Sequence, residues 1–196
     1  TLADLTVGAG CTYDSISDAI AAAKPGDRLL IEGGVTFTEN LAVDKNLILQ
    51  GGYAGCKSGS TSPTTIDGDA AGSVVIIDSG LSVTLENLNI TNGASGFEGG
   101  GIQFAMYSGN GTLNLTNVQI YGNSGGWGGG LWVGYNVDII GKKVEIYDNT
   151  ATMYGGGLRL YGARATFQES NIHGNHAPNG AGVFASIENS YAPVLS

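Results

Sequence analysis

The sequence predicts an all-β fold, a single parallel β-helix of about six or seven coils with one helix near its start. Three observations lead there. One phrase recurs in constant phase, glycine is abundant and placed rather than scattered, and only one stretch has helical periodicity. The phrase reads Val118-Gln-Ile-Tyr-Gly-Asn123 followed by Gly128-Gly-Gly-Leu131. It returns as Val144-Glu-Ile-Tyr-Asp-Asn149 with Gly155-Gly-Gly-Leu158, and as Asn171-Ile-His-Gly-Asn175 with Gly180-Ala-Gly-Val183. The asparagines at 123, 149 and 175 stand 26 residues apart. A looser copy, Leu88-Asn-Ile-Thr-Asn92 with Gly99-Gly-Gly-Ile102, precedes them. A constant step of this length marks stacked supersecondary units, each too small to bury its apolar face alone.

Composition narrows the class. The chain has 196 residues, 34 of them glycine, and only 13% are charged. Glycine lacks the every-third-residue period of collagen, and its recurrence at fixed positions argues against disorder. Eight basic residues face 17 acidic ones, a net charge of −9. That surface repels nucleic acid and anionic membranes, and no run of about 20 apolar residues offers a membrane span. Nucleic-acid binding and membrane insertion by this segment are therefore excluded, and no motif asks for a cofactor or metal. Lys142-Lys143, the one basic pair, reads as a solvated turn.

The helix is predicted over Tyr13–Lys24. Ile16, Ala19, Ile20 and Ala23 share one face, Asp14 or Ser15 can cap the start, and Pro25-Gly26 ends it. After it come short runs with period-two alternation, among them 28–32, 41–43, 47–50, 74–77, 81–85, 88–90, 102–104, 112–115 and 118–120. Further runs cover 131–133, 137–140, 144–146, 158–160, 165–167 and 183–187. The chain thus reads as one domain over 1–196. Residues 28–85 form irregular first coils, 86–187 the Asn and Gly-Gly-Gly coils, and 188–196 a tail. Cys11 precedes the helix and Cys56 sits in a Gly/Ser-rich loop. Neither position looks like core, so a Cys11–Cys56 disulfide is expected over two buried thiols, which implies an oxidising compartment.

Three elements carry a resemblance to a known family. They are Ile16-Ser-Asp-Ala-Ile-Ala-Ala-Ala-Lys-Pro-Gly-Asp27, Leu49-Gln-Gly-Gly-Tyr53, and Ile120-x-x-Asn with Gly128-Gly-Gly-Leu131. The chain resembles secreted right-handed parallel β-helix proteins, the pectin-lyase-like superfamily. It resembles most the bacterial surface branch that includes autotransporter passengers. The resemblance implies a right-handed winding, an extracellular or cell-surface location, and a capping role for residues 13–24. No equivalent cap is legible after residue 187. The fold itself hosts unrelated functions, so activity must be argued from residues.

Asn92, Asn123, Asn149 and Asn175 fall at one corner and read as a buried amide ladder that satisfies turn backbone. The glycine runs lead into strands, not helices, so they are tight corners and not phosphate loops. Thr91, Tyr121, Tyr147 and His173 form one outward column. Gln103, Trp132, Arg159 and Phe184 form a second, and Trp127 with Tyr154 a third. Exposed aromatic columns suit sugar rings or a protein surface, and equally suit mutual stacking.

Glu145 and Asp148 have no acidic neighbour in phase, and His173-Gly-Asn-His176 does not match a polygalacturonase signature. Asp67-Gly-Asp69 reads as a turn. The sequons at Asn89, Asn110 and Asn114 are of a kind expected by chance. No repeated Thr-x-Thr face supports ice binding. The expectation is a non-catalytic extracellular structural or adhesive protein, with end-to-end self-association or a surface glycan or protein as partner. The alternative is a carbohydrate-active lyase, hydrolase or glycan-binding module.

Overall fold

The structure, a computed structural model, describes residues 2–60, 62–104 and 110–186. The expected tail at 188–196 lies outside them. The strands are β1 (Asp4–Val7), β2 (Arg28–Glu32), β3 (Thr36–Thr38), β4 (Leu41–Val43), β5 (Leu47–Ala54), β6 (Lys57–Ser60) and β7 (Thr64–Asp67). They continue as β8 (Val75–Ile77), β9 (Ser82–Thr91), β10 (Ile102–Phe104), β11 (Gly111–Tyr121), β12 (Ser124–Trp127) and β13 (Leu131–Val133). The last are β14 (Val137–Tyr147), β15 (Thr150–Tyr154), β16 (Leu158–Tyr161), β17 (Arg164–Gln168), β18 (Asn171–His173) and β19 (Val183–Ser186). The single helix, α1, spans Ile16–Ala22.

Apart from β1 with β2 and β5 with β6, strands consecutive in sequence do not pair. Instead β1, β2, β5, β9, β11, β14 and β17 lie side by side in one sheet, and β4, β8, β10, β13, β16 and β19 in a second. A short third sheet holds β12 and β15. Nearly every pairing is parallel, which makes the chain a parallel β-solenoid of about seven turns. The exception is β6, antiparallel to β5 in the loop that carries Cys56. Cys56 is bonded to Cys11, closing a loop of sequence separation 45.

Register accounts for the repeat. Val118 stands beside Val144, Ile120 beside Ile146 and Ile172, and Leu131 beside Leu158. Val118, Ile120, Ile146, Leu131 and Leu158 are fully buried, so the interior is a stack of β-branched and leucine side chains in layers. Filling such a layer contributes about 1.5–3 kcal/mol per side chain. Coils turn where left-handed backbone recurs in columns. One column is Asn87, Asn117, Lys143 and Glu169, and another is Asn92, Gly122, Asp148 and Gly174. Asparagine and glycine tolerate that conformation with little strain.

At the glycine runs the coils approach closely. A Cβ on Gly129 would run into the carbonyl oxygens of Thr150 and Gly156, and one on Gly156 into those of His176 and Ala181. The backbone there hydrogen-bonds coil to coil, with Gly129 N–H donating to Gly155 O and Gly156 N–H to Gly180 O. Where one coil is stacked on the next, as at Gly129 and Gly156, nothing larger than hydrogen fits; Ala181 takes the same position only in the last described coil.

Candidate functional site: an aromatic wall beside a buried arginine

The asparagine corner is inside the molecule. Asn123 N–H donates to Asn149 Oδ1 (3.1 Å), and Asn149 N–H to Asn175 Oδ1 (3.0 Å). Each amide also returns a bond to the previous coil, Asn149 Nδ2 to Ile120 O and Asn175 Nδ2 to Ile146 O. Asn92 is not a member. Register places Thr91 beside Tyr121, so Gly93 faces Asn123 and Asn92 stands one residue early. Its backbone is left-handed and its Nδ2 donates to Asp67 Oδ1, while Gly93 N–H takes the ladder bond to Asn123 Oδ1.

The first aromatic column stacks on itself. Tyr121 and Tyr147 lie 5.0 Å apart at 12° between planes, and Tyr147 and His173 5.2 Å apart at 5°. Both faces of Tyr147 are therefore covered, leaving ring edges and not a platform for sugar. Burial, before the fields of Tyr121, Glu145 and Asp148, pushes the Tyr147 hydroxyl upward, so it stays protonated at neutral pH. That hydroxyl lies 3.4 Å from Gln119 Oε1, and Gln119 Nε2 lies 3.4 Å from Glu145 Oε2. The phenol, amide and carboxylate form one loose surface chain.

The second column departs from expectation. Trp132, Gln103 and Arg159 point away from the solenoid interior yet are buried, and Phe184 is half-buried. A side chain can leave one sheet and still be covered by its neighbours. Trp132 packs against the backbone of Gly99, where an added Cβ would strike the Trp132 Cβ. Gln103 Oε1 meets Ser73 Oγ at 3.3 Å.

Arg159 is enclosed by aromatic rings. Its guanidinium carbon lies 4.8 Å from the Phe184 centroid, 5.3 Å from Tyr161 and 5.7 Å from Tyr154. Its Nη1 donates to Leu160 O and its Nη2 to Ser186 Oγ, while Nε has no hydrogen-bond partner among the described residues. Burial pushes its pKa down, with the facing tyrosines opposing; arginine nonetheless stays charged at neutral pH. Among the described residues the ring faces, and no carboxylate, provide its counter-field.

The third column is exposed. Trp127 and Tyr154 are in register on β12 and β15 and are 38% and 36% exposed, and Phe97 on the preceding coil is 74% exposed. Trp127 Nε1 lies 3.2 Å from Met153 Sδ, and the Tyr154 ring is 4.7 Å from Phe184. Phe97, Trp127 and Tyr154 thus form an apolar wall on successive coils. Arg159 lies behind Tyr154. Phe97 was invisible to periodicity because the loop that carries it sits outside the regular strands. No group of three or more His, Cys, Asp or Glu that could hold a metal occurs among the described residues.

No protein-family model and no curated protein sequence matches the chain. Among solved structures it resembles the pectin methylesterase from Aspergillus niger in deglycosylated form. The identity is 20%, over 97% of this chain and 82% of that one, with a TM-score of 0.42. The same enzyme in penultimately deglycosylated form aligns at 19% identity with the same coverage and TM-score. The likeness is one of fold. The expectation of a chain without catalytic activity finds no support in it, since both aligned structures are of an enzyme.

Proposed function

We propose that the chain is an extracellular carbohydrate-active β-solenoid that engages a glycan along the wall of Phe97, Trp127 and Tyr154. The observation that carries this reading is the exposure of Trp127 and Tyr154 in register on adjacent coils, unlike the self-covered Tyr121 column. Exposed aromatics one coil apart give a repeating apolar stripe, about the 4.7–4.9 Å strand spacing, against which consecutive sugar faces can lie. The Cys11–Cys56 bond supports an oxidising, extracellular setting. A second feature bears on turnover: Tyr147, Gln119 and Glu145 link a protonated phenol to an exposed carboxylate.

The test is a panel of neutral and acidic polysaccharides assayed for both binding and released product. Binding should weaken about tenfold or more in Trp127→Ala and Tyr154→Ala, the loss of roughly one stacked ring. Tyr147→Ala should leave binding in place. Should product form, Glu145→Gln should abolish it. A panel with neither binding nor product sinks the reading.

A further inference from the structure

The first coil leaves one strand edge open. β3 pairs with β7 alone. Val35 O accepts from Thr65 N–H and Glu39 N–H donates to Asp67 O, so the bonds to β7 fall on alternate residues. Thr36 and Thr38 turn their N–H and C=O groups the other way, and none of these meets a partner among the described residues. A coil that kept the repeat's path would lay a strand there. The chain instead leaves β1, passes through a turn closed by the Cys11–Cys56 bond, and enters α1.

What stands beside the open edge is a slot of about 520 Å³. It is lined by Val35, Thr36, Phe37 and Thr38 on one side and by Ala9, Asp14 and Ser15 on the other. Glu32 and Glu39 stand just before and after the strand. Each reaches across to the turn or helix, Glu32 to Ala9 N–H at 2.9 Å and Glu39 to Ile16 N–H at 2.8 Å. Asp14 is exposed, and its carboxylate has no hydrogen-bond partner among the described residues. Every charged side chain lining the slot is therefore a carboxylate, and no Lys or Arg offsets them.

We propose that this slot receives a short extended segment of another protein, with basic side chains flanking the residues that pair with β3. The pairing is strand addition: Thr36 and Thr38 supply main-chain donors and acceptors, half-buried Phe37 and exposed Val35 supply apolar contact, and the carboxylates set the partner's charge. The same carboxylates turn away a second copy, whose net charge is −9. Its one basic pair, Lys142-Lys143, lies on β14, which already has neighbours on both edges. A single metal ion is a poor occupant, because the three acids do not gather into a group that could hold one.

The test uses the full chain and a labelled peptide of alternating valine and threonine with lysine at both ends, followed by fluorescence anisotropy. Saturable binding that weakens with added salt is expected. Thr36→Pro should lower affinity about tenfold or more, since it removes an N–H that faces the slot and spares the bonds from Val35 and Glu39 to β7. Asp14→Lys, at an exposed residue with no bond to lose, should lower it by a similar factor. No saturation by about 1 mM, near the weakest measurable affinity, overturns the proposal. So does equal binding by Asp14→Lys, or by a peptide with glutamate at both ends. Spermidine that displaces the peptide and binds Thr36→Pro as tightly as the parent chain assigns the slot to small polycations and likewise overturns it.

Discussion

The first coil and the last described coil differ in what meets their outer edges. At the N-terminal end a set of side-chain clamps meets the first coil and its helix. Glu39 accepts from Ile16 N–H, Ser17 N–H and Ser17 Oγ, and Ser15 Oγ accepts from Asp18 N–H, so the start of α1 is fully capped. Lys45 Nζ donates to Ile20 O near the helix's other end. Asp27, buried, accepts from Ala3 and Lys24 N–H, and these bonds hold its carboxyl below the ordinary 3.8. Ile16 and Ile20 of α1 close the apolar column. At the last described coil, the N–H groups of Asn175, Gly180, Ala181 and Gly182 have no acceptor among the described residues. Termination of a solenoid is therefore a separate task from repetition. It takes residues outside the repeat, here Glu39, Asp27 and α1, because the repeat itself only reproduces an edge.

The largest expected effect lies at the closed end. Reducing Cys11–Cys56, or replacing both cysteines with serine, frees a loop of separation 45. The chain-entropy account gives a loss of about 4 kcal/mol. Urea unfolding should show the midpoint fall, and a midpoint unmoved by reductant would mean that helix and clamps alone hold this end.

Next comes one residue type in two positions. Asn149 is fully buried, and its removal orphans Asn123 N–H and Ile120 O, so Asn149→Ala should cost about 3–5 kcal/mol. Asn175 does the same work on the half-exposed last coil, where water can replace it; Asn175→Ala should cost about 1–2 kcal/mol. Equal losses would show that the last coil is as well sealed as the middle. Glu39→Ala should cost about 1–2 kcal/mol by uncapping α1, read as lost helical signal before the sheet melts.

Most of the repeated half was legible because period and phase carry it: Ile120, Ile146 and Leu158 are in the core, and Asn123, Asn149 and Asn175 in one ladder. Asn92 was misplaced by a single residue. Coils 26 residues long hid the one step of 30 between Gly93 and Asn123, so the loose copy was read by its asparagine and not by its register. The strand Ser124–Trp127 carries no strand-forming signal of its own. Gly125 and Gly126 are there because added Cβ atoms would meet the carbonyls of Glu98 and Phe97 on the preceding coil, a fact of packing. Trp132 and Arg159 were expected outside because alternation tells inward from outward and cannot say what covers the outward side. For Arg159 the cover comes from Tyr154, Tyr161 and Phe184, which belong to other columns or coils. The candidate wall was thus half legible, through Trp127 and Tyr154, and Arg159's enclosure was not.

The smallest expected effect compares two ion pairs of like geometry, one at each end. Arg28 forks onto Asp4 with bonds of 2.9 and 2.8 Å, and Arg164 onto Asp138 with 2.7 and 3.0 Å. Hydrogen bonding to the arginine holds each aspartate below 3.8. A carboxyl whose folded pKa is depressed adds stability above its unfolded value, and that stability disappears as pH falls through the folded one. Both pairs are largely exposed, so each should contribute only about 0.2–1 kcal/mol and be screened by salt. Arg28→Gln and Arg164→Gln should therefore flatten the loss of stability below about pH 4. The change should be larger at Arg28, where β1 and β2 are also held by Asp27. Arg164 lies on β17, which pairs only with β14 among the described residues, and an ion pair on a strand held from one side stabilises less. Urea midpoints at pH 7 and pH 3 in the two variants would reveal the asymmetry, and its reversal would mean that the open end is held more firmly than its unpaired edge allows.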